Sequence, residues 1–122
     1  MASKRPRKGI MDYDFQNDIF YSRPVRRSYE YSEQIGDFVI DFDKNGKIIG
    51  LEVFNASTYF DKPKIFLKNV FSHTVKIEIS EKYISIRIGV LSKQRNKEVD
   101  SLLNLEKVNE FALEPNSLNL EA

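Results

Sequence analysis

The chain has 122 residues and a formal net charge of +1, with 41% apolar and 30% charged residues, which suits one globular domain and not a disordered segment. It holds no cysteine and one histidine, His73, which excludes disulfides, thiolate metal sites, cysteine nucleophiles and histidine-rich metal clusters. No apolar run approaches the roughly 18 residues of a membrane span, and the opening "MASKRPRKG" has no apolar stretch behind it as a secretory signal would, so a cytoplasmic protein is expected.

In chain order, residues 1–9 come first, with Lys4, Arg5, Arg7 and Lys8 around Pro6 and no acid. They read as a flexible basic tail ahead of a single domain over 10–113. Ile10 to Phe15 and Ile19 to Ser22 predict a first β-hairpin, turning near Gln16 and Asn17. Residues 23–37 are polar and carry Arg23, Arg26 and Arg27. Within them "SYEYS" can form a strand, which would put Tyr29 and Tyr31 on one face.

"DFDKNGKIIGLE", residues 41–52, meets every consensus position of an EF-hand calcium loop through Asp41, Asp43, Asn45, Gly46, Ile48 and Glu52. An EF-hand needs amphipathic helices on both sides. The flanks instead alternate with period two, Phe38, Ile40 and Phe42 before and Ile49, Leu51 and Val53 after, which is the strand pattern. Asn45-Gly46 between them is a strong hairpin signal. As a two-residue loop it sets Phe42 against Ile49, Ile40 against Leu51 and Phe38 against Val53, with Asp41 opposite Gly50 and Val39 opposite Glu52. One face is then wholly apolar, and a slip of one residue would mix the faces. The hairpin reading outweighs calcium, and no metal site is expected.

Asn55 or Ser57 can cap a short helix that must stop before Pro63. "KIFLKNVF" gathers more apolar surface than one face needs, so it is either deep core or an interface carried by Phe66, Val70 and Phe71. "HTVKIEISEKYISIRIGVL" predicts another hairpin, with Ile79 against Ile84, Ile77 against Ile86 and Val75 against Ile88. "SKQRNKE" reads as a cationic connection, and "VDSLLNLEKV" suits a strand or a helix equally. Residues 114–122 read as a loose or docked tail. Charge is segregated: residues 62–97 are basic apart from Glu78 and Glu81, while beyond 97 acids prevail against Lys107 alone.

With the hairpins placed, the first half resembles a family. Tyr13, Asp14 and Asp18 precede the aromatic pair Phe20-Tyr21. Then "FVIDFDKNGKIIGLEVFNAS" supplies Asp41, Asp43, Gly46, Gly50, Glu52 and Asn55-Ala56-Ser57. This is similar to the small prokaryotic domain-of-unknown-function family 2283, over residues 10 to about 60. Phe15 departs from the pattern, since members often carry proline there. The resemblance implies an antiparallel sheet with a helix after the second hairpin, and it brings no established activity. The placement of some bacterial members beside toxin-like genes suggests an antitoxin-like binding role. Members are shorter than this chain, so residues 61–113 count as an extension.

The expected fold is therefore α+β, an antiparallel sheet of hairpins with one short helix packed on it. Asp14 with Asp18, or Asp41 with Glu52, could serve as acid and base. Yet carboxylate pairs are common on hairpin turns, and neither a glycine-rich phosphate loop nor a cysteine accompanies them. His73 reads as a satisfied polar residue, and the tyrosines as packing over the sheet. The function expected is a non-enzymatic interaction module with a protein partner, homodimeric, without cofactor or small-molecule substrate. The alternative is an RNA- or ribosome-associated accessory protein that contacts phosphates through Lys4, Arg5, Arg7, Lys8, Arg23, Arg26 and Arg27.

Overall fold

A computed structural model describes residues 6–26 and 28–122. Its strands are β1 (Arg7–Asp14), β2 (Ile19–Pro24), β3 (Tyr31–Ile35), β4 (Phe38–Phe42), β5 (Ile48–Phe54), β6 (Val70–Ile79), β7 (Tyr83–Gln94), β8 (Lys97–Val108) and β9 (Asn116–Glu121), with α1 (Ala56–Phe60) and α2 (Lys64–Lys68) between β5 and β6. They form one sheet in the order β3-β4-β5-β2-β1-β9-β6-β7-β8. All pairings are antiparallel except β1 with β9, where Arg7 and Lys8 lie beside Leu120 and Glu121. The fold is thus mostly β. The expected α+β class is overturned, because the helices are only five residues each and the 99–108 stretch, open to either reading, lies in an edge strand.

The sheet curls until its two halves face each other. Phe20, Phe38, Ile40, Leu51 and Val53 of the first half join Val75, Ile77, Ile86, Ile88, Leu118 and Leu120 of the second in one buried cluster. Phe60 of α1 and Phe66 and Leu67 of α2 complete it. The two halves are tied by Asn116, whose Oδ1 accepts from the Ile48 amide at 3.0 Å and whose Nδ2 donates to the Gly46 carbonyl at 3.3 Å. No helix among the described residues is long and apolar enough to cross a membrane.

The β6–β7 pairing has the register read from alternation, Ile79 to Ile84, Ile77 to Ile86 and Val75 to Ile88. In β4–β5 the expected register holds from Phe38–Val53 to Asp41–Gly50, then a bulge puts Phe42 opposite Ile48 rather than Ile49. The turn is correspondingly longer than two residues. The Gly46 amide closes it on the Asp43 carbonyl at 3.0 Å, and Gly46 takes the left-handed φ of 78° that favours glycine. Both tail boundaries move. Arg7 and Lys8 open β1, and residues 116–121 are a central strand, because Leu118 and Leu120 alternate into the core. The "SKQRNKE" connection is a hairpin turn, with Arg95 and Asn96 both left-handed between β7 and β8.

Candidate functional site

Three residues of the first half's signature, Tyr13, Ala56 and Ser57, meet at Asp18. Its carboxylate accepts from the Tyr13 hydroxyl at 2.6 Å, the Ser57 amide at 3.0 Å and the Ser57 hydroxyl at 2.6 Å, while its carbonyl accepts from the Ala56 amide at 3.1 Å. Asn55 is left-handed and makes no side-chain cap, so the expected self-capping by Asn55 or Ser57 is replaced by a cap from the first hairpin. The orphan amides at the start of α1 are satisfied across 39 residues of sequence. Burial pulls the Asp18 carboxyl upward, but the bonds from Ser57 and Tyr13 outweigh it and hold the group below its ordinary value. The Tyr13 hydroxyl is correspondingly pushed up, by burial first and then by Asp18. Asp14 closes its own turn, accepting from the Asn17 amide at 3.0 Å and from Asn17 Nδ2 at 2.8 Å, and these bonds lower its pKa.

The calcium-like residues are divided between two surfaces. The Asp43 carboxylate is occupied by the amides of Asn45 and Lys47, at 2.8 and 3.0 Å. Asp41 and Glu52 instead border a cleft on the far side of the sheet, with Asp41 accepting from Ser32 Oγ at 2.7 Å. Among the described residues no three acids or histidines come together as metal ligands.

That cleft has a volume of about 830 Å³. Alternation places Asp12, Tyr21, Glu52 and Val39 directly opposite one another in a row across β1, β2, β5 and β4. Ile10, Asp14, Arg23, Tyr29 and Asp41 border the same space. Burial, and then the charges of Glu52, Asp14 and Asp12, push the Tyr21 hydroxyl up.

The cations expected to touch nucleic acid are brought together only in part. The Arg7 guanidinium donates to the Arg26 carbonyl at 3.4 Å, and Lys8 is exposed on the same strand. Arg23 donates to the Pro24 carbonyl at 3.1 Å and faces the cleft. Lys4, Arg5 and Arg27 lie outside the described residues. The apolar trio proposed as an interface separates too: Phe66 is core, Val70 is half-buried, and Phe71 alone is exposed, at the register shift between Val70 and Ser72. His73 is buried, with its Nε2 2.7 Å from Ser22 Oγ and its ring edge-on to Phe20.

A family model described as a protein of unknown function, DUF2283, matches residues 10–57. A Methanosarcina mazei protein named as a putative hypoxanthine phosphoribosyltransferase is 31% identical over 109 residues, covering 89% of this chain and 83% of its own. The chain belongs to the DUF2283 family. An uncharacterized protein of Methanocaldococcus jannaschii is 31% identical over 90 residues, 73% of this chain and 78% of that one. Both similarities run past residue 57, so this DUF2283 chain shares part of its second half with these relatives. No solved structure matches the chain.

Sequence reasoning placed the DUF2283 motif residues but not their meeting point at Asp18, nor the cleft. The outward positions of Asp12 and Tyr21 were readable from the alternation of the first hairpin. Their alignment with Glu52 needed the β2–β5 pairing, which no local pattern announces.

Proposed function

We propose that the protein is a non-enzymatic interaction module that holds a cationic, extended segment of a protein partner in the cleft over β1, β2, β5 and β4. The observation that carries this reading is the row Asp12, Tyr21 and Glu52, with Asp14 and Asp41 at its borders. Carboxylates supply charge and tyrosines supply rigid, amphipathic contact area, the composition that favours a peptide backbone bearing Lys or Arg. The name of the Methanosarcina relative suggests phosphoribosyl transfer. Phosphate recognition of that sort leans on a helix N-terminus, and helices of five residues supply little of that, which favours the binding reading. A second copy of the chain is one candidate partner, since its own exposed lysines suit the cleft.

Titrating the full chain with oligolysine and oligoglutamate peptides by calorimetry, alongside a solution mass by light scattering, tests this. Oligolysine is expected to bind and oligoglutamate not, with the affinity reduced about tenfold in a Glu52→Gln, Asp12→Asn variant. A salt-dependent dimer with the same sensitivity to that variant identifies the partner as a second copy. Equal indifference to both peptides in a monomeric protein overturns the reading.

A further inference from the structure

Opposite in sign to the cleft is the end of the molecule built by α1, α2 and the β7–β8 turn. Lys62, Lys64 and Lys68 come from the helical segment. Lys93 and Arg95 join them because β7 ends against α2: the Lys93 amide donates to the Asn69 carbonyl at 3.2 Å, and Ser92 Oγ to the Phe66 carbonyl at 2.5 Å. Among the described residues none of these five cations is ion-paired, although Lys64 feels the charges of Asp14 and Asp18. At the same place Phe15 stands 44% exposed at the tip of the β1–β2 turn, with the Lys64 and Lys68 ammonium nitrogens 5.8 and 5.1 Å from its ring centroid. The turn does not need that ring, because Asp14 and Asn17 close it. Arg95 also occupies a left-handed position, φ 48°, that asparagine or glycine would take at lower cost. The fold thus displays a half-exposed aromatic ring that already draws two ammonium groups to it, beside cations that have no ion-pair partner among the described residues.

We infer that this end binds single-stranded nucleic acid, with a base stacked on Phe15 and the flanking phosphates held by Lys64, Lys68, Lys93 and Arg95. An exposed aromatic ring flanked by cations is the arrangement that holds unpaired strands, because every base offers a π-face and every linkage a phosphate. The surface meets the acidic cleft at Asp14, which borders the cleft and lies close enough to Lys64 to feel its charge, but the inference does not rest on the cleft's role.

Fluorescence anisotropy of the full chain with labelled oligouridylate and oligothymidylate, across a salt series, tests it. Both strands are expected to bind, since stacking and phosphate contacts do not read the sugar. The log–log salt slope should be about −0.7 per phosphate held, and so about −2 to −3 for three or four contacts. Phe15→Ala is expected to weaken binding about tenfold with the slope unchanged, because it removes stacking and no charge. Lys68→Gln with Arg95→Gln should instead flatten the slope by about one unit or slightly more. These side chains are exposed, and an unchanged thermal midpoint shows that each variant is folded. Glu52→Gln should bind the strands like the parent. Inorganic polyphosphate that competes as well per phosphate as the oligonucleotides would overturn the inference, as would a Phe15→Ala variant that binds like the parent.

Discussion

Asp18 shows how much of the family signature is spent on architecture. Three short hydrogen bonds converge on one buried carboxylate, and two of them reach the start of α1. Asp18→Ala strips the acceptor from all three donors and should destabilise the fold by about 3 kcal/mol in chemical denaturation. Tyr13→Phe should cost about 1–2 kcal/mol alone and markedly less in the Asp18→Ala background, because its partner is already gone. Additive losses would show that the tyrosine acts elsewhere. With its pKa held below the ordinary 3.8, Asp18 contributes stability that is present above that value and lost as pH falls through the folded one. His73 has the opposite chemistry. Burial between Ser22 and Phe20 lowers its pKa below the ordinary 6.5, so the unfolded chain takes up a proton before the folded one does. Stability is therefore complete above about pH 6.5 and declines as pH falls below it, until the folded group also titrates. His73→Gln should flatten the thermal midpoint between pH 5 and 7. An unchanged slope in that variant would locate the titrating group elsewhere.

Within single elements, much of the structure was legible. Period-two alternation found the β1–β2, β4–β5 and β6–β7 hairpins, since one buried face makes each register nearly unique. The β4–β5 turn escaped in detail. An Asn-Gly pair suggests a two-residue loop, but the Asp43 carboxylate gathers the Asn45 and Lys47 amides and stabilises a longer one. That same engagement argues against calcium, because it holds Asp43 in the turn while Asp41 and Glu52 border the cleft on another surface. A micromolar site would add about 4 kcal/mol at millimolar calcium, so a thermal midpoint that stays within about a degree is the expected outcome. A large rise that Glu52→Gln abolishes would show that the acids do gather an ion. Gly46 is the residue the turn cannot spare: Gly46→Val forces a β-branched side chain to φ 78° and should cost at least about 1 kcal/mol. The helical segment and β8 were less legible. The short helix expected between Asn55 and Pro63 is α1, but α2 was not foreseen, since five residues carry too little periodicity to announce a helix. "VDSLLNLEKV" buries Leu103 and half-buries Val99 and Leu105 but leaves Leu102 and Val108 exposed, so its apolar residues satisfy neither period cleanly.

At the scale of the molecule, the decisive strand is the one whose sequence says least. β9 carries only Leu118 and Leu120 toward the core, yet it pairs with β6 along six residues and with the start of β1, while Asn116 ties it to the β4–β5 turn. Pairings between residues some 110 positions apart leave no local trace, which is why the curl of the sheet could not be read from alternation. The energetic consequence is that neither half closes its own core. Burying two leucines contributes about 1.5–3 kcal/mol each, and losing β9 also leaves the ladders of β1 and β6 unpaired. Removing residues 114–122 should therefore cost about 5 kcal/mol or more, enough to unfold a domain whose net stability lies near 5–15 kcal/mol. Leu118→Ala and Leu120→Ala should each cost about 2–4 kcal/mol without unfolding it. A fragment of residues 1–62 retains the whole DUF2283 match, but it exposes Phe20, Phe38, Ile40, Leu51 and Val53 on its inner face. It should show strand-like circular dichroism at most, with poorly dispersed amide resonances and no cooperative melting. A sharp thermal transition with dispersed resonances in that fragment would mean that the family half folds alone and that the second half is an attachment, not the other wall of its core.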